Sequence, residues 1–234
     1  GASASLNLVA YGYGQKFLKE GDVILSTEAE HASNILPWFK VAEVTGAKIE
    51  YIPLNSDGSF DIESLRKVMS EKVKVVTLAH VSNVLGYIMP MKEICEIAHS
   101  YGAIVVCDGA QSVPHVKTDV RDLDVDFLCF SSHKMLGPSG VGVLYGKYEL
   151  LNALEPMEFG GEMIDIVGEV TSTWKDAPYR FEAGTPVIAG AIGLGAAIDY
   201  LEAIGFDEIA KHELELRNYA MEKLDELGGI TVFN

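Results

Sequence analysis

Three short polar clusters interrupt an otherwise apolar sequence, and each follows a run that reads as a strand. His80-Val81-Ser82-Asn83 follows Val73–Ala79, Asp108-Gly109-Ala110-Gln111 follows Ala103–Cys107, and Ser131-Ser132-His133-Lys134 follows Phe127–Phe130. Ligands of open α/β sheets bind beyond the carboxyl ends of the strands, so clusters in these places point to one site. An acidic side chain directly after a buried strand is costly unless it meets a cation or a donor, which makes Asp108 the first candidate. Taken alone, Asp108 reads equally well as a turn or cap residue. Lys134 is the second candidate. In isolation it reads as a solvated lysine. In a desolvated pocket a lysine amine gives up its proton readily and can form an imine with an aldehyde. Gly137–Gly142 is glycine-rich like a phosphate loop, but no Gly-Lys-Ser/Thr follows it. Gly12-Tyr13-Gly14 lacks the third glycine and the strand–helix setting of a dinucleotide fingerprint.

Apolar, β-branched runs predict strands at Asp22–Ser26, Lys48–Ile52, Val73–Ala79, Ala103–Cys107, Phe127–Phe130 and Val141–Tyr145. Between them, Asp61 is placed to cap a helix with Ile62, Leu65 and Met69 on one face. Pro90 precedes a helix from Met91 to about Tyr101, which Gly102 closes. Several strands are apolar throughout, as expected when both faces are covered. This alternation predicts an α/β fold: three layers around a mostly parallel sheet. From Ala189 the pattern changes to a Gly- and Ala-rich helix ending at Ile204. Asp207 then caps a second helix that runs to about Leu227 and stops at Gly228-Gly229. Ile230–Phe233 reads as the start of another strand. The expected division is a large domain over residues 1–205, with residues 206–234 as a connecting helix and the beginning of a further domain. Both ends read as cut, one inside a loop and the other inside a strand.

Lys and Arg number 18 against 34 Asp and Glu, a formal charge of −16. Such a surface repels nucleic-acid phosphates and anionic lipid, so neither is an expected partner. With 48% hydrophobic and 22% charged residues the chain can bury one large core. Three cysteines (Cys95, Cys107, Cys129), odd in number and without metal-ligand spacing, read as buried thiols. No run reaches the roughly 20 apolar residues of a membrane span, and no basic stretch leads into an apolar one at the start, so a cytoplasmic location is expected.

Asp-x-x-Gln at one strand end and Ser-x-His-Lys at a later one resemble the pyridoxal-phosphate site of fold-type-I, class V aminotransferase-like enzymes. Four further segments are similar to cysteine desulfurases of the Suf type: Glu30-His31-Ala32-Ser33-Asn34-Ile35-Leu36-Pro37-Trp38, His80–Gly86, Gly160–Ile164 and Arg180-Phe181-Glu182-Ala183-Gly184-Thr185-Pro186. The resemblance covers essentially the whole chain and corresponds to the cofactor-binding large domain of a longer protein. It implies pyridoxal 5'-phosphate as cofactor, L-cysteine as substrate, a homodimer, and a sulfur-acceptor protein of iron–sulfur cluster assembly as partner.

Residue by residue, the resemblance implies that Lys134 holds the cofactor as an imine. Asp108 pairs with the pyridine nitrogen and keeps it protonated, which makes the ring an electron sink. His31 stacks on the ring and relays protons, while Asn83 and Gln111 bond its phenolic oxygen. Ser3, Ser131 and His133 hold the phosphate, with Ser3 at the start of the first helix. Thr185 resembles a residue that reaches the phosphate of the partner subunit. Two departures stand out. Ala2 and Ser3 replace the threonines usual in the family's first loop, and none of the three cysteines matches the family's nucleophilic loop position. The substrate-carboxylate arginine is also absent from the chain. The alternatives to a desulfurase are a selenocysteine lyase, another class V enzyme, or a non-catalytic pyridoxal-phosphate-binding domain.

Overall fold

A computed structural model of the chain describes residues 1–232. Helix α1 (Ala2–Val9) continues through a π-helical turn, Ala10–Gly14, into the short α2 (Gln15–Phe17). There follow β1 (Val23–Ser26), α3 (Ala32–Thr45), β2 (Lys48–Tyr51), α4 (Ile62–Val68) and β3 (Val73–Ala79). Next come α5 (Met91–Ser100), β4 (Ile104–Asp108), α6 (Val120–Leu123), β5 (Phe127–Ser131), β6 (Gly142–Gly146) and α7 (Tyr148–Ala153). A two-stranded ribbon of β7 (Ile164–Val167) and β8 (Ser172–Trp174) precedes α8 (Ile188–Ile204) and α9 (Phe206–Leu227).

Six strands form one sheet in the order β2-β1-β3-β4-β5-β6. The first five are parallel, and β6 runs antiparallel to β5. Alternation along the strands divides the core between the two faces. Val105, Cys107 and Leu128 pack with Leu65, Ile94 and Ile97 of α4 and α5. Ile104, Val106, Phe127 and Cys129 pack with Leu6, Val9, Trp38 and Val41 of α1 and α3. The result is the expected three-layer α/β sandwich with a mostly parallel sheet.

Local chemistry accounts for the helix limits. Asp61 accepts the amides of Glu63 and Ser64 at 3.1 and 3.2 Å and so caps α4 as its sequence suggests. Gly102 follows α5 with φ +73°, a value glycine adopts without strain. Helix α3 is not marked in the sequence, because Pro37 interrupts its helical pattern. His31 caps its start through Nδ1, and Gly46 at φ +76° ends it. Two expectations need correction. Asp207 lies inside the first turn of α9 and makes no cap, because the helix already begins at Phe206 after Gly205. Ile230–Val232 pairs with no strand among the described residues and is irregular; Phe233 lies outside the described residues. Helices α8 and α9 meet at 75°, and no single helix among the described residues is long and apolar enough to cross a membrane.

The amino edge of the sheet is fastened by a buried carboxylate. Asp126, immediately before β5, accepts the Val105 amide at 2.7 Å, His99 Nε2 at 2.8 Å and Lys147 Nζ at 2.9 Å. One side chain thereby joins α5, β4, β5 and the end of β6. Removing it would leave three donors without their shared acceptor. Asp126→Ala is therefore expected to destabilise the fold by about 3 kcal/mol, as breaking a buried charged network typically does. Urea unfolding checks this, and a loss of less than about 1 kcal/mol would show that water replaces the carboxylate.

Candidate cofactor and catalytic site

The carboxyl ends of β1, β3, β4 and β5 open onto one cleft of about 230 Å³. Sheet order makes this cleft. β1 lies between β2 and β3, so the connections leaving β1 and β3 diverge to opposite faces and part the loops there. The lining includes Ser3, His31, Asn83, Asp108, Gln111, Ser131, His133 and Lys134, together with Ala79 and Ala110. Eight of the nine residues singled out in the sequence therefore meet in one place. The ninth, Thr185, is exposed and does not line the cleft.

The start of α1 is brought to the cleft by close packing. Gly142 of β6 lies under Gly1, and a Cβ at position 142 would fall 2.3 Å from the Gly1 Cα. The Ala2 amide donates to Ser131 Oγ at 2.7 Å, which pins the helix start to the end of β5. Helix starts carry amides without partners inside the helix and a partial positive charge. Ser3 Oγ lies 2.6 Å from Ser33 Oγ, at the first turn of α3. An anion could thus be held locally in a chain whose net charge is −16.

Asp108 is buried at 5% exposure, and burial raises its pKa, opposed by the Ala110 amide and by the charges of Lys134 and His31. Its Oδ1 accepts the Ala110 amide at 2.9 Å, while among the described residues no donor engages Oδ2. Lys134 ends the short 3-10 turn Ser132–Lys134 and is half-buried. Its amine makes no hydrogen bond or ion pair among the described residues, so it is open to a ligand. His31 Nδ1 accepts the Ser33 amide at 3.1 Å, which places the proton of the neutral ring on Nε2. The chemistry on offer is a primary amine, a carboxylate seeking a proton donor, and an imidazole, with an anion cradle at one end. A flat group bearing an aldehyde and a phosphate, as the sequence resemblance implies, matches this donor set.

Comparison with known proteins agrees. The aminotransferase class-V family profile matches residues 1–234. The chain belongs to that family. It is 60% identical over 233 residues to a probable cysteine desulfurase of Halalkalibacterium halodurans, covering 100% of this chain and 57% of the relative. The crystal structure of the cysteine desulfurase CsdA from Escherichia coli superposes with a TM-score of 0.90 at 40% identity, over 98% of this chain and 57% of that one. A C-DES variant with glycine covalently linked to its PLP cofactor matches with a TM-score of 0.85 at 25% identity, over 97% of this chain and 60% of that one. The chain spans a little over half the length of these relatives.

One side chain next to this class-V cleft was not evident as a site feature in the sequence. Glu30, directly before His31, is bonded to the end of β3. His80, from the first polar cluster, does not line the cleft; it is buried at 5% exposure, its Nδ1 has no partner among the described residues, and burial lowers its pKa. The only hint for Glu30 was an acidic residue beside a histidine after a strand. The turn bearing Lys134 also depends on Gly137, whose amide donates to the Ser132 carbonyl at 3.0 Å. A Cβ there would lie 2.1 Å from Ser132 Oγ. Gly137→Ala is expected to cost about 1–3 kcal/mol through overpacking and to displace the Lys134 turn. Thermal melting reads the loss, and an unshifted midpoint would mean that the loop yields freely.

Proposed function

We propose that the full-length protein is a pyridoxal-5'-phosphate-dependent cysteine desulfurase. It would take sulfur from L-cysteine, release L-alanine and pass enzyme-bound persulfide sulfur to an acceptor of iron–sulfur cluster assembly. The observation that carries this is the meeting of Lys134, Asp108 and His31 at the ends of β5, β4 and β1. Homology to proteins named cysteine desulfurase favours this chemistry over other class-V reactions. A cytoplasmic homodimer is part of the same proposal, with Thr185 serving the partner subunit's site. The division into residues 1–205 and 206–234 also belongs to it.

In this reading Lys134 would hold the cofactor through its amine and could move a proton at the substrate carbon. Asp108, through its unengaged Oδ2, would hold a proton on the ring nitrogen. Asn83 and Gln111 would orient the ring by its phenolic oxygen, and His31 would stand against it with its Nε2–H available as a donor. Ser3, Ser131, His133 and the first amides of α1 bind the phosphate. When bound, the cofactor supplies an electron sink for charge developing at the substrate carbon.

The sulfur-accepting thiol lies elsewhere. Cys95 is buried on α5 and its pKa is pushed up to about 12, mainly by burial. Cys107 and Cys129 are fully buried in β4 and β5, and burial drives both thiols well above their usual range. None lines the cleft, and a thiol that stays protonated is a poor nucleophile. The reading therefore assigns that role to a residue outside these 234.

Borohydride reduction of the cofactor-loaded chain should fix pyridoxal phosphate on Lys134, found by peptide mass. Lys134→Ala should abolish both the adduct and the imine absorbance; an adduct on another lysine would overturn the assignment. In the full-length protein, Asp108→Asn should keep some cofactor but lower turnover about a hundredfold or more. Unchanged turnover would reduce Asp108 to a turn residue. The 234-residue chain itself should release no sulfide from L-cysteine above the rate of free cofactor. Sustained turnover would make one of its own thiols the nucleophile.

A further inference from the structure

Next to His31, outside the lining of the cleft, stands a carboxyl group with no assigned role. Glu30 Oε2 accepts two N–H donors, Asn34 Nδ2 at 2.7 Å and the Ala79 amide at 2.8 Å. Its Oε1 accepts the Thr27 hydroxyl at 3.0 Å. Asn34 is fully buried, and its Oδ1 accepts the hydroxyl of Thr77 on β3 at 2.7 Å. The Ser26 hydroxyl at the end of β1 donates to the Thr77 carbonyl at 3.1 Å. These bonds tie the loop after β1, the first turn of α3 and the exit of β3 together. The loop between Thr27 and α3 is the one that carries His31.

We propose that Glu30 is a positioning residue for this cleft: its carboxyl group locks the His31-bearing loop to the exit of β3 in both of its protonation states. The donor set gives the reason. The two N–H groups on Oε2 cannot reverse, so Oε2 must remain an acceptor. The Thr27 hydroxyl on Oε1 can rotate, and a proton on Oε1 would then be donated to Thr27 Oγ1. That oxygen already accepts the Ala29 amide at 3.3 Å and keeps a second lone pair. The clamp therefore persists when the carboxyl is neutral.

Burial, with a smaller contribution from the charge of Asp108, raises the Glu30 pKa to about 7, and Asp108 is the charged group acting on it from the neighbouring strand end. Lys134 and His31 in turn act on Asp108, lowering its pKa. Because the folded value lies above that of the unfolded chain, the folded state takes up the extra proton. The stabilisation from Glu30 is complete below about pH 4.5 and is lost as pH rises to about 7.

The effect on ligand binding rests on the pyridoxal-phosphate reading above, whereas the clamp itself does not. Two measurements on the 234-residue chain separate them. Glu30→Gln imitates the neutral carboxyl, since its amide oxygen can serve the two N–H donors and its NH2 can donate to Thr27. Without cofactor, the midpoint of Glu30→Gln relative to the parent should rise by roughly 4 °C or more between pH 5 and pH 8. A constant difference would overturn the proton switch through Thr27. With pyridoxal phosphate added, Glu30→Ala should bind about tenfold more weakly than the parent at pH 8, and Glu30→Gln should restore affinity to within about threefold. Equal affinity of parent and Glu30→Ala would overturn the positioning role. If Glu30→Ala does not fold, Glu30→Gln decides: a tenfold loss in a variant that melts normally overturns the proposal. If the parent binds no pyridoxal phosphate, the cofactor reading fails, and the clamp is judged on the unloaded chain: Glu30→Ala melting at the parent's midpoint at both pH 5 and pH 8 would overturn it.

Discussion

Asp108 ends β4 with a carboxylate held among apolar strands, and keeping that charge there governs the layout around it. A buried carboxylate without donors is expensive, and a net charge of −16 on the chain adds no relief. The Ala110 amide and the nearby Lys134 and His31 supply what the solvent would have. Each comes from a different strand end or the turn after it, which is possible only because the neighbouring strands run parallel and finish at one edge. Topology thus brings Lys134 and His31 to Asp108 from distant parts of the chain, while the Ala110 amide is a local donor two residues away.

The core and its polar ends were legible in the sequence because each signal was local. The all-apolar runs around Val105 and Leu128 mark strands covered on both sides, and the polar tetrads behind them mark where those strands stop. Asp61 declared its cap through residues two and three positions away. The failures have the opposite cause. Helix α3 is stabilised by Trp38 and Val41 packing onto the sheet, a long-range gain that outweighs Pro37 and leaves little local trace. Asp207 had the right residue type for a cap, but Gly205 had already turned the chain. Glu30 was obscure because its tie to the Ala79 amide spans 49 residues, although Thr27 and Asn34 stand only three and four positions away. A sequence pattern carries what neighbours in the chain decide; it is nearly silent on side chains that meet across the sheet.

The two edges of the sheet answer different physical needs. At the carboxyl edge Asp108 Oδ2 and the Lys134 amine stand without partners among the described residues, as expected where a ligand completes the set. At the amino edge the Asp126 carboxylate is fully engaged. The antiparallel β6 links them, because its start lies beneath Gly1 at the cleft and its end delivers Lys147 to Asp126.

That spatial separation has a consequence for how such a scaffold can change. Substitutions that trade stability for new specificity fall on the loops of one edge, while the reserve that tolerates them resides at the other. Changes far from each other with no shared partners combine nearly additively. Strengthening the contacts around Asp126 should therefore widen the range of cleft variants that still fold, without altering what the cleft recognises. The fold would be evolvable for the same reason that it is stable: its fastening and its chemistry occupy opposite ends of the same strands.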